Sequence, residues 1–260
     1  MSAVVVLEWT FSPADYFEVP IEIAGDDYTL TIDQGKAEAR LDSAAYERNP
    51  SVRQTLHETL NDRFLGVQLL SHRAYALSRS SMIQVHPDGR KDIFLEVEPA
   101  RISVTGQRAD FKISDAKGNI VADSRRDRIE KKKKLADLVS THRPSDEILA
   151  SLLRSYDAAV RDPSNEFVHL YEVREALFRQ FGGEKKTRSA LGISSSDWKR
   201  FGLLCNDEPL RQGRHRGKAG GALRDATEPE LAEARDIARG MIEAYLLRLD
   251  TSTPSMGDDR

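Results

Sequence analysis

Arg125-Arg-Asp-Arg-Ile-Glu-Lys-Lys-Lys-Lys134 marks the place where this chain changes period. Before it, apolar residues alternate or gather in short β-prone runs bounded by turn signals. After it, they recur every three or four residues for the rest of the chain. Strands followed by helices, rather than strands alternating with helices, predict an α+β protein: an N-terminal antiparallel β-rich α+β domain over 1–124, then an all-α helical bundle over 125–249. The run itself opens a helix predicted to reach about Thr141. With seven cations in ten residues, it reads either as a solvated connecting helix or as a positive stripe facing nucleic acid.

Upstream, Val4, Val6, Trp9 and Phe11 lie in one apolar run, and Tyr28-Thr-Leu-Thr-Ile32 alternates with Tyr28, Leu30 and Ile32 on one face. Gly25-Asp-Asp27 and Asp33-Gln-Gly35 supply turns around that strand, and Lys36–Leu41 forms the next. Val52, Leu56, Leu60, Phe64, Val67 and Leu70 then follow helical spacing behind Asn49-Pro-Ser51, which predicts a helix over about 50–70. Met82–Val85 and Ile93–Val97 flank an Asp-Gly hairpin signal. Short strands are expected at Ile102–Val104, Phe111–Ile113 and Ile120–Ala122, with a turn at Asp115–Asn119.

Downstream, Ser145 reads as an N-cap with Asp146 and Glu147 in the first turn. Its helix ends before Asp162-Pro163, and Ser164 caps the next. There Phe167, Leu170, Tyr171, Val173, Leu177, Phe178 and Phe181 form a broad apolar face, closed by Gly182-Gly183. A short turn at 187–191 leads to Ser194–Ser196 and a helix carrying Trp198, Phe201, Leu204 and Cys205. Thr227-Glu-Pro-Glu230 is a capping box that opens the last helix. The expectation is four helices behind the connecting one, with a disordered tail at 250–260.

Composition narrows the function classes. No stretch of about 18 apolar residues exists, so no membrane span is expected. The first residues lack a basic region ahead of an apolar core, and the chain has one cysteine, Cys205; a cytoplasmic protein without a disulfide framework is expected. Ten acids against three bases give residues 1–48 a charge of −7, leaving +4 for the rest and −3 overall. The two parts are therefore expected to have different roles.

The chemistry concentrates in Arg211-Gln-Gly-Arg-His-Arg-Gly-Lys218. Arginine binds phosphate bidentately, and histidine exchanges protons near neutral pH. Arg211, Arg214, Arg216 and Lys218 are candidate phosphate ligands. His215, with Arg214 and Arg211, is a candidate catalytic group for metal-independent phosphodiester cleavage. Glu172 and Glu175, neighbours on one helix face, are candidates for orienting that histidine or arginine, or else for structural salt bridges. A solvated basic loop is the competing reading. The six histidines, His57, His72, His86, His142, His169 and His215, show no metal-ligand spacing, so no metal or other cofactor is expected. Cys205 sits on an apolar helix face, the mark of a buried structural thiol.

Leu170-Tyr-Glu-Val-Arg-Glu-Ala-Leu177, Leu191-Gly-Ile-Ser, Trp198, Cys205-Asn-Asp-Glu-Pro-Leu210 and Arg214-His-Arg216, followed by an amphipathic helix, together resemble a HEPN-type domain over about 145–249. That resemblance implies a helical bundle that pairs as a homodimer, with an Arg and a His converging on RNA. In this chain three residues separate Arg211 from His215 and Arg214 adjoins it, closer than the family spacing. Two readings follow from the resemblance: a nucleic-acid or nucleotide-binding interaction protein, and a metal-independent RNase of defence or toxin type.

Overall fold

A computed structural model describes residues 3–86, 88–94, 110, 112–114, 120–214 and 222–252. The chain divides into two compact units, 1–67 with 75–134 and 68–74 with 135–260. The architecture is α+β: an antiparallel sheet first, a helical region after.

In the first unit β1 (Val4–Ser12), β2 (Ile21–Ala24), β3 (Tyr28–Asp33) and β4 (Lys36–Asp42) precede two helices, α1 (Ser43–Arg48) and α2 (Val52–Ser71). Next come β5 (Ala76–Leu77), β6 (Ser81–Val85) and β7 (Lys91–Phe94). The strand order is β2-β3-β4-β1-β6-β7, with β5 pairing β1, and every pair is antiparallel. A separate hairpin joins β8 (Lys112–Ser114) to β9 (Ile120–Asp123).

β1 lies in the middle of the sheet. Ladders on both sides, to β4 and β6, satisfy its backbone. Val5, Val6, Leu7, Trp9 and Phe11 are all buried, a near-continuous apolar run where β4, flanked by β3 and β1, alternates. On β4, Ala37, Ala39 and Leu41 are buried; on β3, Leu30 and Ile32 are buried while Thr29 and Thr31 face solvent. The β3–β4 turn has positive φ at both central residues, Gln34 (42°) and Gly35 (84°), the two-residue geometry that matches strand twist. Gly25 lies under the Tyr28 ring, where a Cβ would come within 2.4 Å of Cε1. The Asp-Gly hairpin signal is met as well: Gly89 has φ 86° and His86 N–H donates to the Arg90 carbonyl at 2.8 Å. The expected strand at 102–104 and turn at 115–119 lie outside the described residues, as do 95–97.

α2 covers the sheet with Leu56, Leu60 and Phe64, none of them measurably exposed. Phe64 meets Phe11 at 5.1 Å, Phe17 at 4.8 Å, Tyr16 at 5.1 Å and Tyr75 at 4.8 Å between ring centres. The helix starts two residues later and ends one later than the expected 50–70, but α1 ahead of it carried no recognised signal. Asp42 caps α1, accepting from Ala44 N–H at 2.9 Å.

α3 (Ser124–His142) begins with the basic run, and part of that charge is used internally. Arg128 grips Glu18 with Nε at 2.8 Å and Nη2 at 2.7 Å, Lys132 Nζ reaches the same carboxylate at 2.6 Å, and Arg128 also holds Asp110. The Arg128 hydrogen bonds, joined by Lys132 and opposed by burial, hold the Glu18 carboxyl at about 2. A carboxylate depressed in the folded state stabilises the fold above its ordinary range, and that contribution is lost as pH falls from about 4.5 towards 2. Glu18→Gln is expected to cost about 1–3 kcal/mol at pH 7. The gap to the parent protein should close by pH 2, as read from urea midpoints followed at Trp9.

In the second unit α4 (Glu147–Arg161) pairs with α5 (Glu166–Phe181) across a 3₁₀ turn, Pro163–Asn165. α6 (Glu184–Leu191), α7 (Ser195–Gly202), a π turn (Leu203–Asp207) and α8 (Glu228–Ser252) follow. The core gathers Leu149, Leu152, Leu153 and Tyr156 from α4 and Phe167, Leu170, Val173 and Leu177 from α5. Trp198 and Phe201 come from α7, and Ala238, Met241, Ile242 and Leu246 from α8.

Several local expectations are corrected. The cap of α4 is Asp146, not Ser145: its carboxylate accepts from Leu149 N–H at 2.6 Å, while the Ser145 hydroxyl donates to the His142 carbonyl. Ser164 lies inside the 3₁₀ turn and donates to Asp162 at 2.6 Å, so it does not cap α5. The turn expected at 187–191 is the end of α6, a fifth helix behind α3. Phe178, expected on the apolar face, is 46% exposed. Gly182 closes α5 with φ 73°, and the Thr227–Glu230 capping box is reciprocal, at 2.8 and 3.4 Å. Residues 253–260 of the expected tail lie outside the described residues.

Candidate functional site

The loop after the π turn is held at both stems. Leu210, buried, bridges to Arg224; Arg211 N–H donates to the Arg224 carbonyl at 2.9 Å, and Arg224 N–H to the Pro209 carbonyl at 3.1 Å. Ala226 N–H donates to Gln212 Oε1 at 3.0 Å. Gly213 is buried, and a Cβ there would press on the Leu210 carbonyl oxygen at 3.2 Å. Arg224 in turn forms a two-pronged pair with Glu230, at 2.8 and 2.7 Å. Backbone pairing and capping therefore fix where the basic loop leaves and rejoins the bundle. His215, Arg216 and Lys218 lie outside the described residues.

Among the described loop cations, Arg214 joins a backbone bond, a ring and a carboxylate. Its N–H donates to the Cys205 carbonyl at 2.9 Å, and its guanidinium lies 5.2 Å from the centre of the Tyr171 ring. Nη1 donates to Glu175 Oε1 at 2.6 Å. That hydrogen bond pushes Arg214 further above its ordinary value. Tyr171 and Glu175 lie four residues apart on α5, hence on one helix face. Arg174, beside them, stacks over Trp198 at 4.5 Å and Tyr171 at 5.2 Å. Its Nη1 would meet a Cβ on Gly202 at 2.4 Å, so a glycine at the end of α7 leaves that guanidinium its place. The stacking of Arg214 on Tyr171 was not singled out from the sequence, because cation and ring come from segments about forty residues apart.

The other candidates separate. Glu172 is exposed and accepts from Ser155 of α4 at 3.0 Å; among the described residues it is Glu175, of the two glutamates, that hydrogen-bonds a loop arginine. Arg211 is exposed, 3.8 Å from Asp225. Cys205 is fully buried, and burial pushes its thiol well up, which withholds the thiolate that nucleophilic chemistry needs. Among the described residues no group of three or more His, Cys, Asp or Glu side chains is placed to hold a metal ion, and no helix is long and apolar enough to cross a membrane.

No family model, curated protein or solved structure matches the chain. The site is therefore read from its own geometry.

A second polar cluster lies deeper in the same unit. Glu166, 1% exposed at the start of α5, receives Arg235 of α8 through Nε at 2.6 Å and Nη2 at 2.8 Å. His72 Nε2 stands 3.3 Å from the same carboxylate, and its Nδ1 faces the Tyr156 hydroxyl at 3.3 Å. Tyr156 donates to the Leu69 carbonyl at 3.2 Å. Burial opposes the charge on Glu166, but Arg235 and His72 outweigh it and hold the carboxyl below its ordinary value. Burial pushes the Tyr156 hydroxyl up. His72 adopts φ 46°, a left-handed backbone uncommon for a side-chain-bearing residue. This cluster pins the 68–74 segment to α4, α5 and α8 and is read as a structural element.

Proposed function

We propose that the chain binds a phosphate-bearing ligand, RNA or a nucleotide, through its helical unit, with Arg214 as the anchoring cation and Arg211, Arg216 and Lys218 adding charge around it. The supporting observation is the setting of Arg214. A guanidinium whose backbone is fixed and which is laid on a tyrosine ring is placed to meet two oxygens of a phosphate with parallel N–H groups. On this reading the unit is of HEPN type and pairs with a second copy, and the sheet unit serves a separate binding role.

A labelled single-stranded oligoribonucleotide tests the reading. Fluorescence anisotropy should show binding that weakens with salt, because phosphate contacts release counterions. Arg214→Gln should lower the affinity on the order of tenfold. Arg211→Gln, whose more exposed cation stands 3.8 Å from Asp225, should lower it less. Equal binding by the parent and both variants would reject the assignment.

The adjacency of His215 to Arg214 in sequence supports cleavage as the second reading. Incubation with total RNA in EDTA, beside His215→Ala, separates the two. Cleavage that disappears in this variant without a drop in melting temperature assigns an RNase; intact RNA in both assigns a binding protein.

A further inference from the structure

We propose that Glu175 is a built-in competitor for the phosphate: in the free protein its carboxylate occupies Arg214, and the ligand must displace it to bind. This rests on the reading of Arg214 as the phosphate anchor and adds how that anchor is regulated. A carboxylate and a phosphate present the same pair of oxygens to a guanidinium, and Arg214 meets Glu175 at 2.6 Å.

The contact is suited to exchange rather than to permanent structure. Both side chains are more than a third exposed, 38% for Arg214 and 36% for Glu175. An ion pair so open to water contributes little to stability, so surrendering it costs little. The rest of the setting survives the exchange, because the Arg214 backbone stays bonded to Cys205 and Tyr171 is carried by α5. A guanidinium that swings from Glu175 to a ligand also uncovers that part of the Tyr171 ring which Arg174 and the stacked Phe201 do not occupy. A base could stack there, since any base offers a π face. The ligand class favoured is therefore a single-stranded or mononucleotide phosphate, whose base is free to stack, over a duplex.

Removing the competitor should strengthen binding. Glu175→Gln keeps the shape of the side chain, deletes its charge and should tighten binding of the oligoribonucleotide by about three- to tenfold. Glu172→Gln is the control: it deletes the same charge one turn away on the same helix, from a residue bonded to Ser155 and not to Arg214. It should leave affinity within about twofold. Combining Glu175→Gln with Arg214→Gln should erase the gain. Parallel titrations with ATP and with inorganic phosphate distinguish the sources of the phosphate, and an aromatic contribution predicts that ATP gains more than phosphate alone.

Affinity unchanged or weakened in Glu175→Gln, or a gain of equal size in Glu172→Gln, overturns the competitor role while leaving Arg214 as anchor. Absence of binding by every form overturns both. Glu175→Ala, with melting curves recorded alongside, repeats the measurement without a side chain that can hydrogen-bond.

Discussion

Arg235→Ala is expected to destabilise the helical unit by about 3–5 kcal/mol, the range for stranding one member of a buried pair. The size follows from which partner is stranded. The Glu166 side chain is 2% exposed, whereas that of Arg235 is 26% exposed. Without Arg235, the buried carboxylate keeps, among the described residues, His72 at 3.3 Å and cannot turn to water. Without Glu166, the guanidinium still reaches solvent along its flexible stem, so Glu166→Ala should cost less, about 2–3 kcal/mol. The orphaned carboxyl in Arg235→Ala also reverses the sign of a pH dependence. In the parent protein Glu166 lies below its ordinary value and stabilises the fold above its ordinary range. In the variant, burial opposed by His72 alone raises it, so the stability that Glu166 itself contributes should be fullest at low pH and fall as pH rises past that raised value. Chemical denaturation at pH 5 and pH 8, followed at Trp198 in a Trp9→Phe background, reads both effects. Filling the space with Glu166→Leu and Arg235→Met together should recover much of the loss, because no buried charge is then left unpaired.

The legibility of these features in the sequence follows their range. Period, turn chemistry and capping are local, so the alternation of β3, the Asp88-Gly89 hairpin, the Asp162-Pro163 break and the Thr227–Glu230 box could be read in place. Errors arose where neighbouring residues offered equivalent signals. Ser145 and Asp146 both accept hydrogen bonds, and register alone decides which caps α4. α6 was missed because Glu184–Leu191 is largely polar, with only Thr187 and Leu191 buried, which leaves little periodicity to detect. The candidate site was half legible. A dense basic stretch announces itself, but the pairing of Arg214 with Glu175 spans thirty-nine positions, and that of Glu166 with Arg235 sixty-nine. Nothing in either helix taken alone distinguishes an acid that meets an arginine from one that meets solvent. The same limit hid Glu18, 110 positions from Arg128: the basic run read as a solvated connecting helix or a positive stripe because this partner lies far away in the chain.

Phe64→Ala is the corresponding prediction for the sheet unit, with an expected cost of about 3–5 kcal/mol. Two terms contribute. The ring is completely buried, so its transfer out of water is lost, and a cavity remains unless the neighbours move in. Those neighbours are tied down. Phe11 is fixed by the β1 ladders and by its N–H bond to the Gly35 carbonyl at 2.8 Å. Tyr75 donates its hydroxyl to Asn61 at 2.7 Å, and Tyr16 donates to the Phe64 carbonyl itself at 3.3 Å. Collapse would break a strand register or a buried hydroxyl bond, each costing as much as the contact it restores. The cavity should therefore persist, placing Phe64→Ala in the upper part of that range. Phe64→Leu keeps most of the volume and loses chiefly the ring-to-ring geometry with Phe11, Phe17, Tyr16 and Tyr75, so it should cost about 1–2 kcal/mol. Urea midpoints followed at Trp9 in a Trp198→Phe background measure both. A cost for Phe64→Ala below about 1.5 kcal/mol, within the range of a tolerated swap, would mean that the cluster repacks and that these hydroxyl bonds do not hold its walls apart.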